Sequence, residues 1–200
     1  MLQTLKDWDR ELFVWLNGLG IEQADAFWIY VTQITSWTPL FLFFIFLIFY
    51  KYKWKRGPIV FIMLLVAFAL TLFLTDLTKD YVARLRPNNA GELAELIRIL
   101  QKPTNFSFFS GHASTSFAVT TFVVLALRDY SKWIYLAYIW PLIFVMSRIY
   151  VGVHYPSDIA VGAGVGTIIA VLLYKLMVWL LNRLFPDLAN PADGETIPNG

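Results

Sequence analysis

An all-α fold is predicted: a polytopic membrane helix bundle of about five transmembrane helices, preceded by an N-terminal interfacial helix. Three observations point to it. The chain is 58% hydrophobic and 18% aromatic, with a mean hydropathy of +0.59, too apolar for an ordinary water-exposed domain. Its apolar residues gather into runs long enough to cross a hydrocarbon layer about 30 Å thick. The short connections Lys51-Tyr52-Lys53-Trp54-Lys55-Arg56 and Arg128-Asp129-Tyr130-Ser131-Lys132 are rich in cations, as cytoplasmic turns are.

Composition also excludes some functions. A net charge of +2 shows no general basic character, so nucleic acid is not an expected partner; the expected partners are the lipid bilayer and a membrane lipid. The chain has no cysteine, which rules out disulfides, thiolate metal sites and a cysteine nucleophile. Lys6, Asp7, Asp9, Arg10 and Glu11 interrupt any apolar core near the N-terminus, so no signal peptide is expected there. Length suits one membrane-embedded domain over residues 1–184, with an interfacial helix over 1–20, an outer loop over 88–108 and a disordered polar tail over 185–200.

Leu5, Trp8, Leu12, Trp15 and Leu16 make one apolar helical stripe, with Lys6, Asp9 and Arg10 off it. Such a helix lies in the membrane interface with its tryptophans at headgroup level. Gly18 and Gly20 break it. The first span is expected from Ala26 to Tyr50, kinked at Pro39, with Thr32, Gln33, Thr35 and Ser36 turned to other helices or water. The second starts at Gly57-Pro58, runs to about Thr75 and continues as helix towards Arg84. In the outer loop, residues 92–100 carry the periodicity of a short amphipathic helix, which suits a lid or a connector equally. The remaining spans are His112–Leu127, Trp133–Arg148 and Ser157–Leu181. Gly162, Gly164 and Gly166 give the last one a small-residue face; with no strand before them they read as a packing surface, not a nucleotide loop.

Five crossings put the basic turns on one side and three polar clusters on the other. Charged groups at membrane depth cost roughly 2.5–3.5 kcal/mol each on insertion scales, so they usually mark function. Lys79 and Arg86 lie seven apart, two helical turns, and offer a point charge and a planar fork suited to phosphate. Ser110-Gly111-His112 opens a helix, where backbone N–H groups and the helix dipole favour an anion. His154 and Asp158 lie four apart, so the carboxylate can orient the imidazole as nucleophile or base, and Arg148 adds a third cation. The only two histidines of the chain, His112 and His154, both fall in these clusters.

Lys79 with six residues to Arg86-Pro87, then Ser110-Gly111-His112, then Ser147-Arg148 with five residues to His154 and three more to Asp158, resembles the three-part signature of the type 2 phosphatidic acid phosphatase superfamily. That superfamily holds membrane lipid phosphatases, soluble acid phosphatases and vanadium haloperoxidases. Phe109 stands where the family's middle motif begins with proline. The resemblance implies His154 as the nucleophile that forms a phosphohistidine, Asp158 as its orienting carboxylate and His112 as the acid that protonates the leaving oxygen. It implies Lys79, Arg86, Ser110, Gly111 and Arg148 as phosphate ligands, with no metal and no cofactor.

The expected activity is therefore metal-independent hydrolysis of a membrane lipid phosphate at the outer face of a bacterial cytoplasmic membrane. Polyprenyl diphosphate leads as substrate, with phosphatidylglycerophosphate, phosphatidate and lipid A phosphate behind it. A non-catalytic lipid-binding protein would not need both His154 and Asp158, and five spans with a lipid-facing site argue against haloperoxidase chemistry.

Overall fold

The computed structural model describes residues 2–186, and all regular structure among them is helical. The expected tail from 187 onward lies outside the described residues. In order come α1 (Leu2–Gly18), α2 (Asp25–Val31), α3 (Thr38–Val82), α4 (Glu92–Glu95), α5 (Gly111–Leu127), α6 (Ile139–Tyr150) and α7 (Pro156–Leu184). Short 3-10 turns lead into α2, α3, α4 and α6. The segments Ile34–Glu95, Lys132–Tyr150 and Pro156–Leu184 are long and apolar enough to cross a membrane, and α5 is a shorter apolar helix.

α3 is two helices in one. Lys53 leaves helical dihedrals (φ 55°, ψ 179°) and divides it into 38–52 and 54–82. Counting those halves separately, five apolar helical segments build the bundle, as predicted, but with different boundaries. The first span does not run unbroken from Ala26: α2 stops at Val31, and a 3-10 turn over Ile34–Trp37 precedes α3. Pro39 therefore opens α3 instead of kinking a span, a position where its missing N–H costs nothing. The basic stretch 51–56 stays helical on either side of the break at Lys53.

α5 runs through the middle of the bundle and packs on α3, α6 and α7. Gly162 and Gly166 let α7 approach it closely: a Cβ at Gly162 would meet the Ser110 carbonyl oxygen at 2.7 Å, and one at Gly166 would collide with that of Ser114. Gly164 faces open space and takes no part in this face. Thr75 and Ser114 pair their hydroxyls at 2.9 Å across α3 and α5. Around these contacts Phe44, Ile48, Val60, Phe122, Phe144 and Met177 form the main core.

α1 is amphipathic with two apolar sides. Trp8 and Trp15 are 63% and 61% exposed, together with Leu5 and Leu12, which suits a helix lying in the interface. Leu16 does not belong to that stripe. It turns inward beside Phe13 and Val14, onto Leu93, Ile149 and Tyr155. Asn17 at the end of α1 ties the loop over 88–108 down: its amide donates to the carbonyls of Arg98 (3.1 Å) and Ile149 (3.0 Å) and accepts from the Arg98 N–H (2.8 Å). Leu100 then donates to the Val151 carbonyl, and Gly152, at φ 82°, lets the Arg98 carbonyl pass close by. These pairings take up the backbone groups a helix over 92–100 would need, so only Glu92–Glu95 is helical.

Sidedness has a clean test, because the chain lacks cysteine. Single cysteines replacing Lys55 and Asn89, both exposed, should label from opposite sides of sealed cells, with Asn89→Cys reacting with an impermeant reagent from outside. Labelling of Lys55→Cys from outside would invert the orientation.

Candidate active site

The three clusters meet at one end of the bundle, where α3 ends and α5 and α7 begin. α7 starts at Pro156, which is suited to a first helical turn, and Asp158 sits in that turn. Its side chain accepts from the Tyr155 N–H at 3.1 Å and completes a capping box. The same Oδ2 takes the Ser107 hydroxyl at 2.7 Å and faces His154 Nδ1 at 3.3 Å. Oδ1 accepts from Arg84 at 2.7 Å. Asp158 is 0% and His154 1% exposed.

His154 Nε2 lies 2.9 Å from Nη1 of Arg86. A guanidinium only donates, so Nε2 must be the acceptor. The ring proton then sits on Nδ1, facing Asp158, and the Nε2 lone pair accepts the Arg86 hydrogen bond. Burial pushes the imidazole well down, to about 3, although the hydrogen bond to Asp158 opposes that shift. The ring is therefore neutral near pH 7, with its lone-pair nitrogen directed away from the carboxylate.

Arg86 is not on the helix that carries Lys79. α3 ends at Val82, Ala83 adopts a left-handed conformation (φ 50°, ψ 35°), and Arg86 returns through the following loop. The expected common helical face is replaced by this turn. Arg86 is held by the carbonyl (2.8 Å) and side-chain (2.9 Å) oxygens of Asn105 and by the Val153 carbonyl (3.0 Å).

Beside this pair lies a cavity of about 440 Å³ whose polar wall includes Lys79, Gly111, His112, Arg148, Gln33 and Gln101. Arg148 is 5% exposed and fixed by Thr32 and by Gln101 at 3.0 Å, but its Nε has no protein partner among the described residues. A buried donor of that kind at a cavity wall is ready for an anion. His112 stacks its ring 4.9 Å from Phe144. Among the described residues Lys79 has only Asp76, at 3.4 Å, as an ion partner. Ser110 is fully buried; its hydroxyl caps Ala113 N–H and its own N–H donates to the Asp158 carbonyl at 3.0 Å, so of that cluster Gly111 and His112 reach the cavity wall. Arg86 and His154 sit behind the wall.

The larger share of apolar lining belongs to a neighbouring hollow of about 230 Å³ between the halves of α3 and α5, which has no charged residue on its wall. It shares Ile34, Phe68 and Thr115 with the polar cavity. The two make one path from charged groups to the apolar flank of the bundle.

Several contributors carry no signal in the one-dimensional pattern. Ser107, Asn105 and Gln101 come from the loop over 88–108, which backs the site through Ser107 and Asn105 and reaches the cavity wall through Gln101. Arg84 and Asp9 join from opposite ends of the N-terminal half. Thr32 was recognisable as a polar residue facing inward, but its pairing with Arg148 was not. Phe109, at the position where proline is usual, is buried.

A family model described as the PAP2 superfamily matches residues 60–182, which include every cluster residue from Lys79 to Asp158. The chain is 29% identical over 203 residues to a lipid A 4'-phosphatase of Bacteroides thetaiotaomicron, covering 97% of this chain and 88% of the relative. It is 31% identical over 170 residues to an undecaprenyl-diphosphatase of Sulfolobus acidocaldarius, covering 83% and 77%. The crystal structure of a transmembrane PAP2 type phosphatidylglycerolphosphate phosphatase from Bacillus subtilis superposes with a TM-score of 0.68 at 18% identity, covering 94% of this chain and 89% of the other, which is a likeness of fold.

With two histidines in the chain, [15N]histidine labelling resolves the tautomer directly. At neutral pH His154 should show a protonated Nδ1 and a bare Nε2. A proton on Nε2, or a doubly protonated ring, would contradict the arrangement.

Proposed function

The chain belongs to the PAP2 superfamily and is a phosphoric ester hydrolase, and from that premise we propose that it is a metal-independent lipid phosphatase working through a phosphohistidine on His154. The observation that carries the proposal is the Arg86–His154–Asp158 chain beside the polar cavity, in which Nδ1 faces the carboxylate and the Nε2 lone pair is held only by a guanidinium that phosphate can draw away. A phosphoryl group entering from the cavity takes the Arg86 Nη1 donor that now rests on Nε2. Lys79, the unpartnered Nε of Arg148 and the Gly111 amide supply further positive charge around it. Ser110 supports the loop by capping, consistent with a place in the phosphate-binding turn.

In the first step Nε2 attacks phosphorus, the N–P bond forms and the P–O bond to the lipid breaks. His112, taken up as the imidazolium beside the bound phosphate dianion, gives its proton to the departing oxygen, and Asp158 stabilises the charge that grows on the His154 ring. In the second step water attacks phosphorus while His112 takes its proton; the N–P bond breaks, and inorganic phosphate and neutral His154 result. Preorganised cations stabilise the charge of the transferring group in both steps, so the mechanism needs no metal.

The lipid tail occupies the apolar hollow, with its phosphate in the polar cavity. The protein is an integral membrane protein, and the proposed site faces the outer side of a bacterial cytoplasmic membrane. Among substrates, a lipid A type sugar phosphate takes first place over the polyprenyl diphosphate expected from sequence. The support is twofold: the lipid A 4'-phosphatase relative aligns along 97% of the chain, and Gln33, Gln101 and Thr32 offer hydrogen bonds to a sugar beside His112. Phosphate release by purified protein, in the presence of EDTA, from lipid A, polyprenyl diphosphate, phosphatidylglycerophosphate and phosphatidate ranks the substrates; failure on all four removes the proposal.

The division of labour between the histidines is tested by leaving group. An alkoxide needs the proton, and general acid catalysis of this kind is worth roughly 10²–10⁴-fold. A nitrophenolate leaves with little help. His112→Ala should therefore cripple lipid phosphate hydrolysis and spare much of the nitrophenyl phosphate activity, whereas His154→Ala should abolish both. Equal losses on both substrates in the His112 variant would make His112 a phosphate ligand only.

A further inference from the structure

Arg84 lies outside the three clusters, two residues before Arg86, yet it touches the carboxylate behind His154. Its Nη1 donates to Asp158 Oδ1 at 2.7 Å and to the Ser157 hydroxyl at 2.8 Å. Its Nη2 donates to Asp9 Oδ2 at 2.7 Å. Asp9 belongs to the interfacial helix α1 and also accepts from the Ser157 N–H at 2.9 Å and from the Ser157 hydroxyl. The guanidinium rests over the Tyr155 ring, 3.9 Å from its centroid. One planar fork thus joins α1, the loop after α3 and the first turn of α7.

The two oxygens of Asp158 divide their work. Oδ2 receives Ser107, the Tyr155 N–H and the ring of His154, while Oδ1 receives Arg84. A carboxylate can rotate about its Cβ–Cγ bond. With Oδ1 pinned by a charged donor that is itself pinned by Asp9, that rotation is blocked and Oδ2 stays in front of Nδ1. We propose that Arg84, anchored by Asp9 of α1, is a positioning residue for phosphoryl transfer: it sets the orientation of Asp158 and, through it, of His154. The proposal rests on His154 and Asp158 acting as described above. Arg84 does not touch the cavity, so substrate binding should be indifferent to it. A lysine in its place keeps one charge but cannot span both carboxylates with a rigid fork.

The test compares wild type, Arg84→Lys, Arg84→Met, Asp9→Asn and the Asp9→Asn/Arg84→Lys double variant in detergent. Each is assayed for kcat and KM on the best lipid substrate, for inhibition by inorganic phosphate and for the [15N]histidine spectrum. Displacing a reacting group by about 1 Å costs on the order of 10²-fold in rate. Arg84→Lys should accordingly lose 10- to 100-fold in kcat, with KM and phosphate inhibition unchanged and the Nδ1 signal of His154 shifted. Asp9→Asn should lose less, and the double variant should lose less than the product of the two single losses, because the effect of Asp9 on Asp158 runs through the Arg84 guanidinium, while its bonds to Ser157 hold the start of α7. Arg84→Met, which strands a buried carboxylate, should fall furthest; should it fail to fold, the lysine variant still decides. Wild-type kcat in Arg84→Lys, a loss carried by KM, or additive losses in the double variant would overturn the positioning role. Inactivity of the wild type on every lipid phosphate would instead strike at the phosphatase reading itself.

Discussion

A single buried carboxylate organises this end of the molecule. Asp158 is shielded from solvent, and an ionised carboxylate so placed is tolerated only when donors surround it. It has four: the Ser107 hydroxyl, the backbone N–H of Tyr155 at the start of α7, a guanidinium from the loop after α3, and the imidazole of His154. Each donor comes from a segment that must be in its native place. Removing one partner of a buried ion pair typically costs about 3–5 kcal/mol, so the site and the fold of this end of the bundle stand or fall together.

The helices deliver that carboxylate by packing. Gly162 and Gly166 bring α7 against the first turns of α5, closely enough for the Ser110 N–H to bond the Asp158 carbonyl. The N-termini of α5 and α7 therefore lie side by side, one presenting Gly111 and His112 to the cavity and the other holding Asp158 behind it. Lys79, His112 and Arg148 gather at this pocket, while the adjoining hollow is lined mainly by apolar side chains such as Phe41, Phe44, Phe61 and Leu64. A phosphate with an apolar tail matches both halves at once.

Much of this was legible in one dimension. Apolar runs separated by basic turns fixed the number of segments, and His154 four residues before Asp158 anticipated their contact, because a helix start at Pro156 turns the carboxylate back towards the imidazole. Local spacing failed where the chain leaves regular structure. Seven-residue spacing puts Arg86 on the helical face of Lys79, but Ala83 reverses the backbone before it. Residues 92–100 have helical periodicity, yet Asn17 and Val151 claim their backbone groups. The unbroken first span failed at Thr32–Gln33, where Thr32 is drawn to Arg148 across the bundle. Arg84, Asp9 and Gln101 join the site through contacts between residues far apart in sequence, with no periodic pattern to betray them.

The account stands on His154 carrying the phosphoryl group. Rapid acid-free quenching of the enzyme with a ³²P-labelled lipid phosphate should trap a phosphoenzyme that survives alkali, is lost in acid and maps to the peptide containing His154. The label should be absent from His154→Ala. Turnover with no trapped label under conditions that slow the second step, or label that maps to His112 or to a carboxylate, would contradict it.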